Sequence, residues 1–192
     1  MDMEHVLARS FSNYLCRHKI IEEEYFDIYV YGAELVLSFI VTTGIILIIG
    51  IIAGMIPATL AHLAVFIALR RFTGGYHAKT YLRCKIITIA VYLSVMLAAR
   101  YADVAWYIYL PLTLIGNAVI YTLAPVENPN KPLTPEDKLR LRRLSHLFFT
   151  ALCSAGAALS LIYRPLGNTV FFSGASVIAL MIITIFQKGE QK

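Results

Sequence analysis

The stretch YVYGAELVLSFIVTTGIILIIGIIAGMIPATLAHLAVFIAL, Tyr29 to Leu69, holds one charged side chain, Glu34, in 41 residues. A hydrocarbon core ~30 Å thick is crossed by about 20 helical residues, so this run is two membrane spans rather than one. Pro57, close to Gly54, is the natural break, because proline removes a backbone donor and glycine admits a turn. A first helix over 33–53 and a second over 57–69 are therefore predicted. Working outward, further spans are expected over 86–99, 104–124 with Pro111 inside it, 144–163 and 169–186. The chain reads as an all-α integral membrane protein of six transmembrane helices in a single membrane domain. The second and third spans are short for the bilayer at about 1.5 Å per residue, which predicts that their shared loop lies below the headgroup plane.

The composition agrees with this reading. Of 192 residues 58% are apolar and 15% charged, with a mean hydropathy of +0.67. A typical soluble domain is about 25% charged. Disorder, a collagen-like repeat and a disulfide-stapled secreted module are excluded. The net charge of +5 belongs to a membrane surface rather than to nucleic acid, since no basic face on a soluble module is present to carry it. The opening thirty residues mix acids and bases without an apolar core, so no cleaved signal peptide is expected. Within Glu4 to Arg17, Val6, Leu7, Phe11, Tyr14 and Leu15 recur at helical spacing beside Arg9, Ser10, Asn13 and Arg17. That pattern fits an amphipathic interfacial segment or a cap packed on the other helices.

Basic residues set the orientation. With the N-terminus inside, fifteen of the seventeen lysines and arginines fall on the inner segments, and only Arg100 and Arg164 lie outside. Both long polar loops, 70–85 and 125–143, are then cytosolic, as are the termini. The second loop opens with Pro125, Pro129, Pro132 and Pro135, which forbid regular helix over its first half. Thr134-Pro135-Glu136-Asp137 signals a restart, with Thr134 as N-cap, Pro135 at the first helical position and acids in the first turn.

The loop able to do chemistry is Arg70-Arg71-Phe72-Thr73-Gly74-Gly75-Tyr76-His77-Ala78-Lys79-Thr80-Tyr81-Leu82-Arg83-Cys84-Lys85. A thiolate is the reactive form of cysteine, and imidazolium, nearby cations and a helix N-terminus all favour it. Cys84 has candidates for all three in His77, in Arg83 and Lys85, and in the start of the third span. Positions seven apart on one unbroken helix stand about 10.5 Å apart along the axis, too far for direct proton transfer. A working His77–Cys84 pair therefore needs a break between them, and Gly74-Gly75 can end the second helix and turn the chain back. Backbone N–H groups at that turn, or in the first turn of the third span, are alternative oxyanion donors.

Gly74-Gly75-Tyr76-His77-Ala78 followed by Cys84, preceded by Arg70-Arg71 and set between short hydrophobic segments, closely resembles the accessory gene regulator B (AgrB) family. Ala124-Pro125-Val126-Glu127-Asn128-Pro129-Asn130-Lys131-Pro132-Leu133 looks like that family's proline-containing cytoplasmic loop. What the resemblance implies is a membrane-embedded cysteine endopeptidase of Gram-positive quorum sensing that acts on a small precursor peptide, AgrD. Such a protein removes the precursor's C-terminal tail, holds the remainder as a thioester, and lets an internal nucleophile close a thiolactone or lactone. By the motif, Cys84 is the nucleophile and His77 its general base and acid. No third catalytic residue is assigned, although Glu127, Asn128 and Asn130 are polar enough to orient His77. Candidate substrate contacts are Arg70, Arg71, Gly74, Gly75, Lys79, Arg83, Lys85, Arg140, Arg142 and Arg143, whose charges suit the acidic tail expected of the family's precursors. A homodimer is implied, and no cofactor or metal.

Other residues read more plainly. Cys16 and Cys153 are expected to pack rather than react, and three scattered cysteines make neither a disulfide framework nor a zinc site. Glu34, His62 and Asn117 should hydrogen-bond between helices, and His146 is a weaker rival for the base. Gly44, Gly50, Gly54, Ala151, Ala155 and Ala158 suit close helix approach. No HExxH, GxSxG, Walker A or Rossmann pattern is present. The alternatives to a peptidase are a solute-binding membrane subunit of a transporter and an inert scaffold with basic loops.

Overall fold

The computed structural model describes residues 3–74, 80–102, 104–126 and 133–189. The chain divides into two compact units, Met1–Ile48 and Ile49–Lys192. In the first, α1 (Met3–Arg17) is followed by a short 3₁₀ turn, Glu23–Tyr25, and by α2 (Phe26–Ile52), which runs on past the unit boundary. The face of α1 turned inward is Glu4, Ala8 and Ser12, while Val6, Leu7, Phe11 and Tyr14 are exposed. An amphipathic helix with its larger apolar side chains uncovered is built to lie against acyl chains. Glu34 bonds to His5 of α1, which satisfies an acid that hydrocarbon would otherwise penalise.

The second unit holds the end of α2, then α3 (Ile56–Thr73), α4 (Tyr81–Tyr101), a 3₁₀ turn at Trp106–Ile108, α5 (Tyr109–Leu123), α6 (Pro135–Ile162) and α7 (Arg164–Gly189). The break between α2 and α3 falls where glycine and proline predict it. Gly54 has φ +67° and Pro57 sits in the first turn of α3. Several helices run further than hydropathy indicates. The second and third expected spans, 57–69 and 86–99, are 18 and 21 residues long because α3 continues through Arg70-Arg71 and α4 starts at Tyr81. Hydropathy marks only the part immersed in hydrocarbon, and a helix carries on into the interface wherever Lys and Arg can reach water. α6 likewise begins at Pro135 rather than near 144. Thr134 caps it as expected, its Oγ1 accepting from the Asp137 N–H at 3.2 Å. In contrast, α5 starts at Tyr109 rather than 104, which places Pro111 in its first turn, where a missing N–H is harmless.

Five helical segments are long and apolar enough to cross a bilayer, and α5 is a sixth, shorter apolar helix of 15 residues. Among the described residues there is no β-strand, and the protein is an all-α membrane protein.

α7 is the axis around which α3, α4, α5 and α6 gather. Val170, Phe171, Val177, Leu180 and Met181 join Val65, Phe66 and Leu69 of α3, Ile120 of α5, and Phe149 and Cys153 of α6 in one buried cluster. α7 also brings polar side chains into the bundle. His62 of α3 is fully buried with Nδ1 2.8 Å from Ser173 Oγ, whose hydroxyl donates to the Thr169 carbonyl. Asn117 of α5 meets Thr150 and His146 of α6. Glu34, His62 and Asn117 thus all bond between helices, as their cost in lipid requires.

Close approach uses other small residues than most of those expected. Gly44 and Gly54 have open space around them, and Ala151, Ala155 and Ala158 are not buried. Gly50 lies against Thr59, and the tightest crossing pairs Gly167 of α7 with Gly156 of α6. A Cβ on Gly167 would sit 2.5 Å from both the Gly156 carbonyl oxygen and the Ser160 nitrogen. Both are rigid helix backbone, so Gly167→Val is expected to push α6 and α7 apart and cost about 2 kcal/mol or more. Thermal unfolding in detergent checks this, with Ala155→Val as a control that leaves the midpoint unchanged.

Candidate functional site

The second unit has two distinct polar ends. At one, Asn168 at the start of α7 accepts from the Tyr109 hydroxyl and donates through Nδ2 to the carbonyls of Ala99 and Ala102, at 3.3 and 2.9 Å. The end of α4 and the beginnings of α5 and α7 are thereby tied together. Arg100 and Arg164, the two basic residues expected on the far side, are at this end. At the other, the end of α3 meets the end of α5: Gly74 and Val126 form an isolated parallel bridge, and the Val126 N–H donates to the Thr73 carbonyl at 2.9 Å. Arg70, Arg71, Arg83, Lys85, Arg140, Arg142 and Arg143 belong to helix ends on this second side.

Cys84 is half-buried in the first full turn of α4. Thr80 caps that helix in an extended conformation, φ −134° and ψ 146°, with its Oγ1 3.4 Å from the Arg83 nitrogen. Thr80 is extended, so the helix that carries Cys84 starts after it. The Cys84 N–H is already bonded to the Thr80 carbonyl at 3.1 Å, and the Cys84 carbonyl accepts from Thr88 Oγ1 at 2.8 Å. The Cys84 amide is therefore spent on the helix and is not free to act as an oxyanion donor.

A cation stands near Cys84: Arg70, in the last turn of α3, interacts electrostatically with the Cys84 side chain, and its guanidinium lies 5.5 Å from the Phe66 ring centroid. Arg70 is half-buried, which strengthens such a contact relative to one in open water. A cation at the C-terminal turn of α3 is also favoured by that helix's dipole. Sequence spacing alone gave no reason to pick Arg70 from the other cations, because thirteen residues and a helix break lie between it and Cys84.

The remaining candidates scatter. Arg71 and Arg83 are exposed and Lys85 is half-buried. Arg140 and Arg143 line a shallow exposed groove of about 400 Å³ with Glu136, Leu139 and Leu144. Arg142 faces elsewhere, donating from Nε to the Ala124 carbonyl at 2.9 Å. Gly74 ends α3 with φ +70°. His77, Gly75 and Lys79 lie outside the described residues, as do Glu127, Asn128 and Asn130. Cys16 is half-buried in α1 and Cys153 is buried in the apolar cluster, consistent with packing roles. His146 Nδ1 is held by Asn117 Oδ1 at 2.9 Å. No group of metal-binding side chains is found among the described residues.

The sequence profile of the family described as Accessory gene regulator B matches residues 8–187. Among curated relatives, an "Accessory gene regulator protein B" of Staphylococcus intermedius is 24% identical over 79% of this chain and 77% of its own length. "Protein FsrB" of Enterococcus faecalis is 27% identical over 73% of this chain and 57% of its own length, so the match spans little more than half of that relative. No solved structure matches. The chain belongs to the accessory gene regulator B family and is a multi-pass membrane protein of the accessory gene regulator quorum-sensing system.

Proposed function

We propose that this protein is a cysteine endopeptidase that cuts the C-terminal tail from an AgrD-like precursor and passes the remaining peptide to its own internal nucleophile. The observation that carries this reading is the half-buried Cys84 in the first turn of α4, at the polar end of the bundle where the basic residues gather, with the Arg70 guanidinium in electrostatic contact with it. A half-buried cation offers charge where negative charge gathers, first on the attacking sulfur and then on the tetrahedral oxyanion.

His77 takes the Cys84 thiol proton and the sulfur attacks the scissile carbonyl, forming a C–S bond. Collapse breaks the C–N bond, and the imidazolium gives its proton to the leaving amine of the tail. An internal Cys or Ser of the bound peptide then attacks the thioester carbonyl, closing the ring as its own proton leaves through His77 and restoring Cys84. Thioester exchange conserves most of the acyl bond energy, so a thiolactone needs proximity more than driving force. A recessed site limits competing hydrolysis.

In this reading the end carrying Cys84 faces the cytosol, since the basic residues crowd there and Arg100 and Arg164 are opposite. The exposed basic side chains Arg71, Arg83, Arg140 and Arg143 draw in the acidic tail, and the protein works as a homodimer in the lipid bilayer.

Co-expression with a cognate precursor tests the chemistry. Tail removal is expected to stop with Cys84→Ala, Cys84→Ser and His77→Ala, and to persist with Cys16→Ala and Cys153→Ala. Equal processing by Cys84→Ala protein ends the enzyme reading. Solute uptake that depends on a partner and is indifferent to Cys84 would replace it with the transporter reading. Arg70 has a separate readout. In a chain lacking Cys16 and Cys153, Arg70→Gln is expected to slow alkylation of Cys84 at neutral pH by about tenfold, with Arg70→Lys retaining part of the rate.

A further inference from the structure

One face of α3 carries Thr59, His62, Phe66 and Arg70, separated by the three- and four-residue steps that put neighbours on the same side of a helix. Their side chains form a continuous pillar. The His62 and Phe66 rings are stacked at 25° with centroids 5.4 Å apart, and the Arg70 guanidinium lies over the same Phe66 ring, 5.5 Å from its centroid. The foot of the pillar is anchored to two other helices. His62 is fully buried, with Nδ1 2.8 Å from Ser173 Oγ of α7, and its ring meets that of Tyr92 of α4 at a centroid distance of 5.4 Å. The Tyr92 hydroxyl, buried as well, is 2.8 Å from Thr59 Oγ1. Phe66 is embedded in the apolar cluster with Val65 and Leu69. Every member of the column before Arg70 is thus fixed by its surroundings, and Arg70 stands at the half-buried top.

We propose that Phe66, braced by His62, is a positioning residue that holds the Arg70 guanidinium beside Cys84. The role assigned to that cation rests on the peptidase reading above, while its placement rests on the register of the two helices. The end of α3 and the start of α4 lie at the same end of the bundle, so the helices run in opposite directions. Tyr92 marks the level at which α4 meets His62. Cys84 comes eight residues before Tyr92 on α4, and Arg70 comes eight residues after His62 on α3. At 1.5 Å per residue both are about 12 Å from that contact in the same direction, which brings them to one level. There the two side chains interact electrostatically. Since α3 and α4 touch each other little, the approach is made by the long Arg70 side chain and not by the backbone. Such a side chain loses rotamer entropy when ordered, and near water it spreads its charge over many positions unless something restrains it. The electron-rich face of Phe66 attracts the cation and limits where it can sit. A charge fixed before the reaction needs no reorganisation when negative charge develops on sulfur or on the tetrahedral oxygen. An aliphatic residue at position 66 would fill the same space without offering that face.

The test uses the full-length protein in detergent, with Cys16 and Cys153 replaced by alanine, and compares alkylation of Cys84 by iodoacetate, an anion, with alkylation by neutral iodoacetamide. Thiolate fraction and accessibility affect both reagents alike, so the ratio of the two rates reads the positive charge held at the sulfur. Arg83 and Lys85 flank Cys84 on α4 and contribute equally in every variant. Phe66→Leu and Phe66→Met, which keep an apolar side chain in the cluster, are each expected to lower the ratio about threefold, toward that of Arg70→Gln. Phe66→Tyr, which keeps the ring, should retain the wild-type ratio. Adding Phe66→Leu to Arg70→Gln should lower it no further, because both changes act through one guanidinium. Thermal unfolding identifies a variant that has lost its fold, and Phe66→Met, whose flexible side chain refills the space, decides if Phe66→Leu is lost. A wild-type ratio in the folded ringless variants or in Arg70→Gln overturns the pillar, as does an equal fall in Phe66→Tyr or a further fall in the double variant. Precursor cleavage measured in parallel separates the reading beneath: cleavage that survives Cys84→Ala ends the peptidase assignment, whereas a wild-type ratio in Phe66→Leu with Cys84→Ala inactive ends only the pillar.

Discussion

Hydrocarbon offers no hydrogen bonds, so each backbone group at membrane depth must be satisfied by the chain itself. The architecture of the second unit follows from that constraint. Helices run without interruption through the apolar region, and irregular backbone appears only at their ends, where specific partners meet it. At one end Asn168 satisfies carbonyls of Ala99 and Ala102 together with the Tyr109 hydroxyl. At the other, Val126 and Arg142 satisfy the carbonyls of Thr73 and Ala124. One of the polar ends that stabilise the bundle also carries Cys84.

The same constraint explains why α7 is central. A helix surrounded by helices need not be purely apolar, and α7 uses that freedom to present Asn168, Thr169, Ser173 and Thr184 to the interior. Ser173 holds His62, and Gly167 lets α6 come within backbone contact. α3, which carries Arg70, is thus fixed laterally by α7, and its end is bonded to Val126. Arg70 comes near Cys84 although α3 and α4 touch each other little, because both pack on α7.

Arg70 and Arg142 show how similar cations divide their work. Both lie among the basic residues that the orientation rule already explains, and both are half-buried. One guanidinium lies over the Phe66 ring near Cys84 and the other is bonded to a carbonyl, and neither is a loose surface charge. Arg71, Arg83, Arg140 and Arg143 remain exposed and suit long-range attraction of an acidic segment.

Local pattern was enough for much of the protein. The run from Tyr29 to Leu69, charged only at Glu34 and broken at Gly54 and Pro57, determined membrane spans, and Thr134-Pro135 determined where α6 starts, because helix ends and immersion depend on neighbours along the chain. The glycine after Thr73 likewise marked the end of α3. The sequence was silent on which arginine comes near Cys84, on the commitment of the Cys84 amide to Thr80, on Gly156 and Gly167 as the close crossing, and on the pairing of Gly74 with Val126. Each of those depends on the distance between segments far apart in the chain, and such distances are decided only when side chains from separate helices pack into one interior.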